Sequence, residues 1–364
     1  MLVYILCFII TIFLTYCAER CFRGKKKCLG IIFSIFVILV PSTLAGLRDY
    51  SIGTDVKVYV IRTFNLAVNS SSLVDLLNQY NVDIGYTVFN YIVSLFTENP
   101  QWILFMTQAV ICSLVYILAY RERNNISMTM FMMIYLLTMF NQSLNIARQS
   151  MAIAIIIFSY KYLKERKLVK FFVCTLLAAC FHSTAILALP IYFINILINS
   201  RAKKRYQILI IVLLVMVIAF FEDVLRFMVY DLHLLSERYL YYLSSSSDTQ
   251  ISIFQLVYRM FLVLIVVLNK KRMDEKTYNI MFTLLIINFF TYLLNSVTMY
   301  AGRISYYYGE IATLISISTI SNNWKKKENK IFFNILMMIF FVTNFIILYV
   351  IGNSGETYPY KFLN

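Results

Sequence analysis

LVYILCFIITIFLTYCAERCFRGKKKCLGIIFSIFVILVPSTLAGLRDY, residues 2–50, reads as two apolar runs joined by a turn that carries Arg20, Arg23, Lys25, Lys26 and Lys27. Each run is close to the roughly twenty residues a helix needs to cross about 30 Å of hydrocarbon. Cations gathered in the turn and kept out of the runs describe a membrane hairpin whose turn faces the cytoplasm. The pattern recurs to the end of the chain, with apolar segments at 2–18, 30–47, 101–119, 126–140, 147–163, 168–181, 184–198, 206–221, 252–269, 278–297, 304–321 and 331–350. The composition agrees: 60% of the 364 residues are apolar, only 14% are charged and the mean hydropathy is +0.73. Globular domains use roughly 45–50% apolar residues. The expectation is an all-α, polytopic integral membrane protein of about twelve transmembrane helices (range 10–13), forming one transmembrane domain over residues 1–364.

The net charge of +15 would suggest nucleic acid in a soluble protein. Here twenty-four of the 33 basic residues fall in six alternate turns, within 20–27, 121–123, 161–170, 201–205, 270–276 and 325–330. The positive-inside rule makes those turns cytoplasmic, so the charge is a topology signal and no nucleic-acid partner is expected. Residues 85–97 would break the alternation as a full span. Thirteen residues reach only about 20 Å, so a re-entrant or interfacial helix is expected there. Alternation also favours a tight hairpin at Phe181-His182-Ser183 over one long tilted helix from Lys170 to Arg201. The first segment has no preceding basic residue and no small-residue cleavage site, so it is expected to stay attached as a span. The seven cysteines lie in spans or the first cytoplasmic turn, which supports neither a disulfide framework nor a zinc cluster. Two long loops remain outside: 48–84, and 222–250 with its serine run at 244–247.

The few cations left on the outer face are the informative ones: Arg48, Lys57, Arg62, Arg148, Arg226, Arg238, Arg303 and Lys361, with Arg259 about two turns inside a span. Three helices begin after polar clusters, namely Asn145-Ile-Ala-Arg148-Gln149, Phe181-His182-Ser183-Thr184 and Gly302-Arg303-Ile-Ser305. Unpaired N–H groups and the positive end of the helix dipole favour an anion at such starts, and arginine adds a fork of donors. Three together would suit a diphosphate. Each alone also fits a plainer role: arginine as an interfacial anchor, histidine as a structural donor, and Ala152 and Ala154 after Gln149 as helix-packing residues. In the first loop, Gly53 and Thr54 suit a tight turn flanked by Asp49 and Asp55, which are candidates for a general base or for sugar hydroxyls; the plain alternative is a solvated turn. Tyr50, Tyr59, Tyr80, Tyr86 and Tyr306-Tyr307-Tyr308 offer faces for sugar rings, or an aromatic belt. Glu310, inside a span, is a costly carboxylate with Arg303 or Arg259 as its partner.

Arg48 with Gly53-Thr54-Asp55 after the second span, Asn145-Ile-Ala-Arg148-Gln149-Ser-Met-Ala152 opening a helix, Phe181-His182-Ser183-Thr184-Ala185, and Arg303 before Ser305-Tyr306-Tyr307 together resemble the EpsG family, grouped with Wzy-type O-antigen and capsule polymerases. The likeness runs from about residue 30 to 320. It implies a bacterial inner or plasma membrane protein, with a fold similar to GT-C-like lipid-linked glycosyltransferases and O-antigen ligases, that polymerises undecaprenyl-diphosphate-linked repeat units on the extracytoplasmic face. Those glycans and membrane lipid are its implied partners, with a chain-length regulator and a flippase left open. No nucleotide, metal or other cofactor is expected.

On that chemistry Arg148 and Arg303, with Arg48 third, would stabilise charge developing on the departing diphosphate. His182 is the preferred base for the acceptor hydroxyl and Asp55 or Asp49 the alternative, because an unburied carboxylate with a pKa near 4 is the weaker base at neutral pH. Gly53, Thr54, Asn145, Gln149, Ser183, Tyr306 and Glu310, with Arg48 and Asp49, are the candidate substrate-binding residues. Two rivals share the architecture: a transporter or lipid-linked sugar flippase, which should show two related halves and ionisable groups near the midplane, and an O-antigen ligase, which moves finished glycan.

Overall fold

The structure is a computed structural model that describes residues 1–80, 83–233, 251–296 and 301–363. Most of the second long loop, with Arg238 and the serine run at 244–247, lies outside the described residues. Helix is the regular element throughout them, apart from one isolated bridge between Arg48 and Phe362. Five helices are long and apolar enough to cross a membrane: Leu2–Arg23, Lys27–Gly46, Gln101–Arg121, Glu275–Ser296 and Lys327–Ile351. A sixth candidate, Lys204–Val217 with Phe221–Asp231, is bent by 86°.

Most of the other apolar segments are helical but short or interrupted, so twelve apolar runs are not twelve straight rods. Met128–Tyr135 passes through a π turn, Leu136–Phe140, into Asn141–Asn145. Ile146, with ψ at 62°, then breaks the helix before Ala147–Phe158. Leu168–Phe181 ends at His182, whose φ of −156° and ψ of 115° are extended, and the chain returns through the 3-10 turn Ser183–Ala188 into Pro190–Ile198. Pro190 stands at the first helical position, where its missing N–H costs no bond. Phe171 and Tyr192 lie 5.8 Å apart, and the Tyr192 hydroxyl donates to the Arg166 carbonyl at 2.7 Å. The expected hairpin is therefore formed, and a single tilted helix is not. The short helix expected at 85–97 is Ile84–Ser94, too short to cross a bilayer.

Burial separates core from periphery. Tyr306–Asn322 is enclosed along nearly its whole length. Small residues permit this: Ser316, Ser318 and Ser321 have no exposed surface, and a Cβ on Gly309 would come within 2.5 Å of the Asn288 side chain. Leu2–Arg23, Lys27–Gly46 and Lys327–Ile351 instead expose rows of Leu, Ile and Phe. Apolar faces of that extent are satisfied by lipid.

The two ends of the bundle differ in chemistry. At one end the basic turns meet: Arg23 donates to Asn322 at 2.9 Å, Lys164 pairs with Glu122 at 2.7 Å, and Asn323 donates to the Arg272 carbonyl at 2.8 Å. At the other end the C-terminal tail folds over the first loop. The Asp49 N–H donates to the Lys361 carbonyl at 2.9 Å, the Gly53 N–H to the Glu356 carbonyl at 3.1 Å, and the Leu363 N–H to the Leu47 carbonyl at 3.1 Å. Lys57 adds an ion pair to Glu356 at 3.0 Å. The tail, given no part by the sequence, braces the loop that carries Asp55.

Candidate functional site

The helix break at Ile146 creates the site. Where the helical ladder stops, Gly53 takes φ +91° and brings the first loop against the carbonyl of Leu144. A Cβ there would lie 2.4 Å from that oxygen. Gly53→Ala is expected to lose about 1–3 kcal/mol from the left-handed backbone alone, and more from the collision. A lowered melting temperature of the purified protein in detergent would show it; an unchanged one would mean that the loop does not need this close approach.

The loop then docks through Asp55. Its N–H donates to Asn145 Oδ1 at 3.0 Å, and its Oδ2 accepts from the Tyr59 hydroxyl at 2.9 Å. The Arg148 guanidinium lies 3.8 Å over the Tyr59 ring, and its Nη1 donates to Asp83 Oδ2 at 2.7 Å. This ion pair is largely buried, with side chains 15% and 3% exposed, and Arg148 Nε is buried without a partner. Arg303 lies within electrostatic reach of Asp55, and its carbonyl accepts from Gln149 Nε2 at 3.1 Å. Two arginines and a half-buried carboxylate thus come together from loop 53–59, the helix start at 145–149 and residue 303.

Burial pushes the Asp55 carboxyl above its ordinary range, against the pull of Arg303, the Tyr59 hydrogen bond and Arg148. Burial also holds the Tyr59 hydroxyl far above its usual value. Asp49 behaves oppositely: hydrogen bonds from Ser51 keep its carboxyl low, its Oδ1 accepting the Ser51 N–H at 2.8 Å. Two aspartates six residues apart are therefore unlike, one a turn cap and the other poised near the arginines.

Several candidates stand apart from this cluster. Arg48 is only 3% exposed and donates to the Leu144 carbonyl at 3.2 Å, so it fastens the loop to the helix break from beneath. Thr54 is exposed beside Asp55. His182 Nδ1 is 2.7 Å from Thr184 Oγ1 and 3.4 Å from the Tyr307 hydroxyl, which ties the hairpin to the start of Tyr306–Asn322; Ser183 opens the 3-10 turn next to it. Tyr306 lies within reach of both Arg303 and Arg259. Glu310 lies deeper, 3.5 Å from Thr138 Oγ1 and within reach of Arg259.

Asp83 is the residue that sequence reasoning missed. It precedes Ile84–Ser94 with φ 53°. An aspartate before a helix reads as a cap. Here its side chain makes no cap bond and spends its charge on Arg148, 65 residues away.

The family model described as the EpsG family matches residues 31–362, which includes every one of these site residues. No curated protein and no solved structure matches the chain.

Proposed function

Because this chain belongs to the EpsG family, we propose that it polymerises undecaprenyl-diphosphate-linked oligosaccharide units into an O-antigen, capsule or exopolysaccharide. The observation that carries this reading is the convergence of Arg148, Arg303 and Asp55 at the end of the bundle opposite the basic turns. With those turns cytoplasmic by the positive-inside rule, the site faces outward, from a bacterial plasma membrane, through about twelve spans arranged as in GT-C-like enzymes.

In the reaction, a hydroxyl of the incoming unit attacks the anomeric carbon of the growing glycan. A glycosidic C–O bond forms, the C–O bond to the diphosphate breaks, and undecaprenyl diphosphate leaves. Negative charge grows on the leaving oxygen, where fixed donors in a site screened from water do most to lower the barrier. Asp83 and the Tyr59 ring hold the Arg148 plane, leaving Nη2 and the second Nη1 hydrogen for phosphate oxygens. Arg303 supplies the second charge. The proton of the attacking hydroxyl passes to Asp55, whose burial makes it a better base than a solvated carboxylate. His182, favoured from sequence, has its Nδ1 occupied by the Thr184 and Tyr307 hydroxyls and serves as the alternative.

Deleting the protein and analysing lipid-linked glycans separates the readings. A missing polymerase leaves single repeat units outside the membrane. Single units retained inside would indicate a flippase, and long lipid-linked polymer a ligase; either contradicts the proposal.

A further inference from the structure

The Ile253–Leu268 helix buries only Arg259, Leu262 and Val266. Arg259 is 5% exposed, about 9 Å along the axis from the first residue of that helix. An arginine anchored to lipid headgroups would send its charge outward along the surface. This one turns inward. Its guanidinium lies 3.8 Å over the Tyr292 ring, and Nη1 donates to the carbonyl and to Oε1 of Gln255 at 3.1 and 2.8 Å. Its Nε is buried with no partner. Glu310 lies within reach of this charge, yet among the described residues no ion pair joins the two. The Tyr306 hydroxyl lies within electrostatic reach of both Arg259 and Arg303.

Burying a guanidinium in a membrane protein without a paired carboxylate is costly, which makes it a candidate for binding an anion or for a charge pathway. The polymerase reading, on which this inference rests, supplies the anion. Both reactants are lipid-linked, so two diphosphates must be held at once, and only the donor's departs. Held in a single cluster they would repel each other. We propose that Arg259 is the centre of a second polyprenyl-diphosphate subsite, holding the acceptor substrate while Arg148 and Arg303 hold the donor. Tyr306 offers a hydroxyl between the two subsites, and Glu310 opposes the anion enough to keep the acceptor exchangeable.

Native mass spectrometry of the purified full-length protein, titrated with undecaprenyl diphosphate, tests this. The wild type is expected to bind two equivalents, Arg259→Gln to lose one, and Arg148→Gln to lose the other. Arg259→Lys should weaken the second equivalent roughly tenfold, the worth of one charge-assisted hydrogen bond. Glu310→Gln should tighten it several-fold, and this carries the test if Arg259→Gln does not fold. One equivalent in the wild type, unchanged in Arg259→Gln and lost in Arg148→Gln, would overturn the second subsite and leave the polymerase reading standing. Displacement of the second equivalent by equimolar phosphatidylglycerol would overturn it too, as an ordinary headgroup site. No binding at all would overturn the polymerase reading and this inference together.

Discussion

Arg148→Lys is expected to stop chain growth at normal protein level, leaving single lipid-linked units in place of polymer. Lysine keeps the charge but loses the planar fork. The geometry makes that loss severe. Arg148 uses one nitrogen for Asp83 and its face for Tyr59, and the same plane directs its remaining donors. An ammonium that pairs with Asp83 has no fixed second donor to present. Removing one preorganised donor from such a site costs about 10²–10³ in rate. Asp83→Asn should give a milder defect that shortens polymer without abolishing it, because a neutral amide can still accept the Arg148 bond. Normal polymer length in Arg148→Lys would show that the fork is not used.

Asp55→Asn should separate activity from stability. As the base, Asp55 contributes about 10²–10⁴ in rate, and an amide cannot take up the proton. Burial is the leading influence on its carboxyl and raises its pKa in the folded state. A raised folded pKa means that folding is favoured while the group is protonated and that this advantage disappears as pH rises through the folded pKa. At neutral pH the wild type therefore bears the cost of a buried charge. The variant should melt at the same temperature or higher there, with the difference closing as pH falls into the carboxylate range. An inactive variant with unchanged or raised melting temperature identifies a catalytic group. Full activity in Asp55→Asn, with loss in His182→Ala, would transfer the role to His182.

The sequence made the bundle legible because the physics involved is local: apolar run length sets a span, and cations in alternate turns set its direction. The hairpin at His182 followed from that alternation alone. The π turn at Leu136–Phe140 did not, because it belongs to a segment as apolar as the unbroken ones, whereas the break at Ile146 falls within the polar cluster 145–149 where a helix start was expected. Arg148 and Arg303 were visible as cations at the outer starts of spans, and Asp55 as a carboxylate beside the Gly53-Thr54 turn of the first outer loop. Their grouping depends on loop 53–59 packing onto the helix break, and Asp83 was hidden because its neighbours suggest a cap. Arg48 shows a further limit: its place beside the motif could be read from the sequence, but its burial and its bond to the Leu144 carbonyl could not.

Glycosyl transfer between two lipid-linked units can be followed in a reconstituted system. Lipid-linked repeat units extracted from the deletion strain would be mixed with the purified protein in proteoliposomes, with no nucleotide sugar added and a chelator present. A ladder of lipid-linked oligomers is expected, with release of one undecaprenyl diphosphate per bond formed. Units that only cross the bilayer, or that remain single despite access to the site, would contradict it.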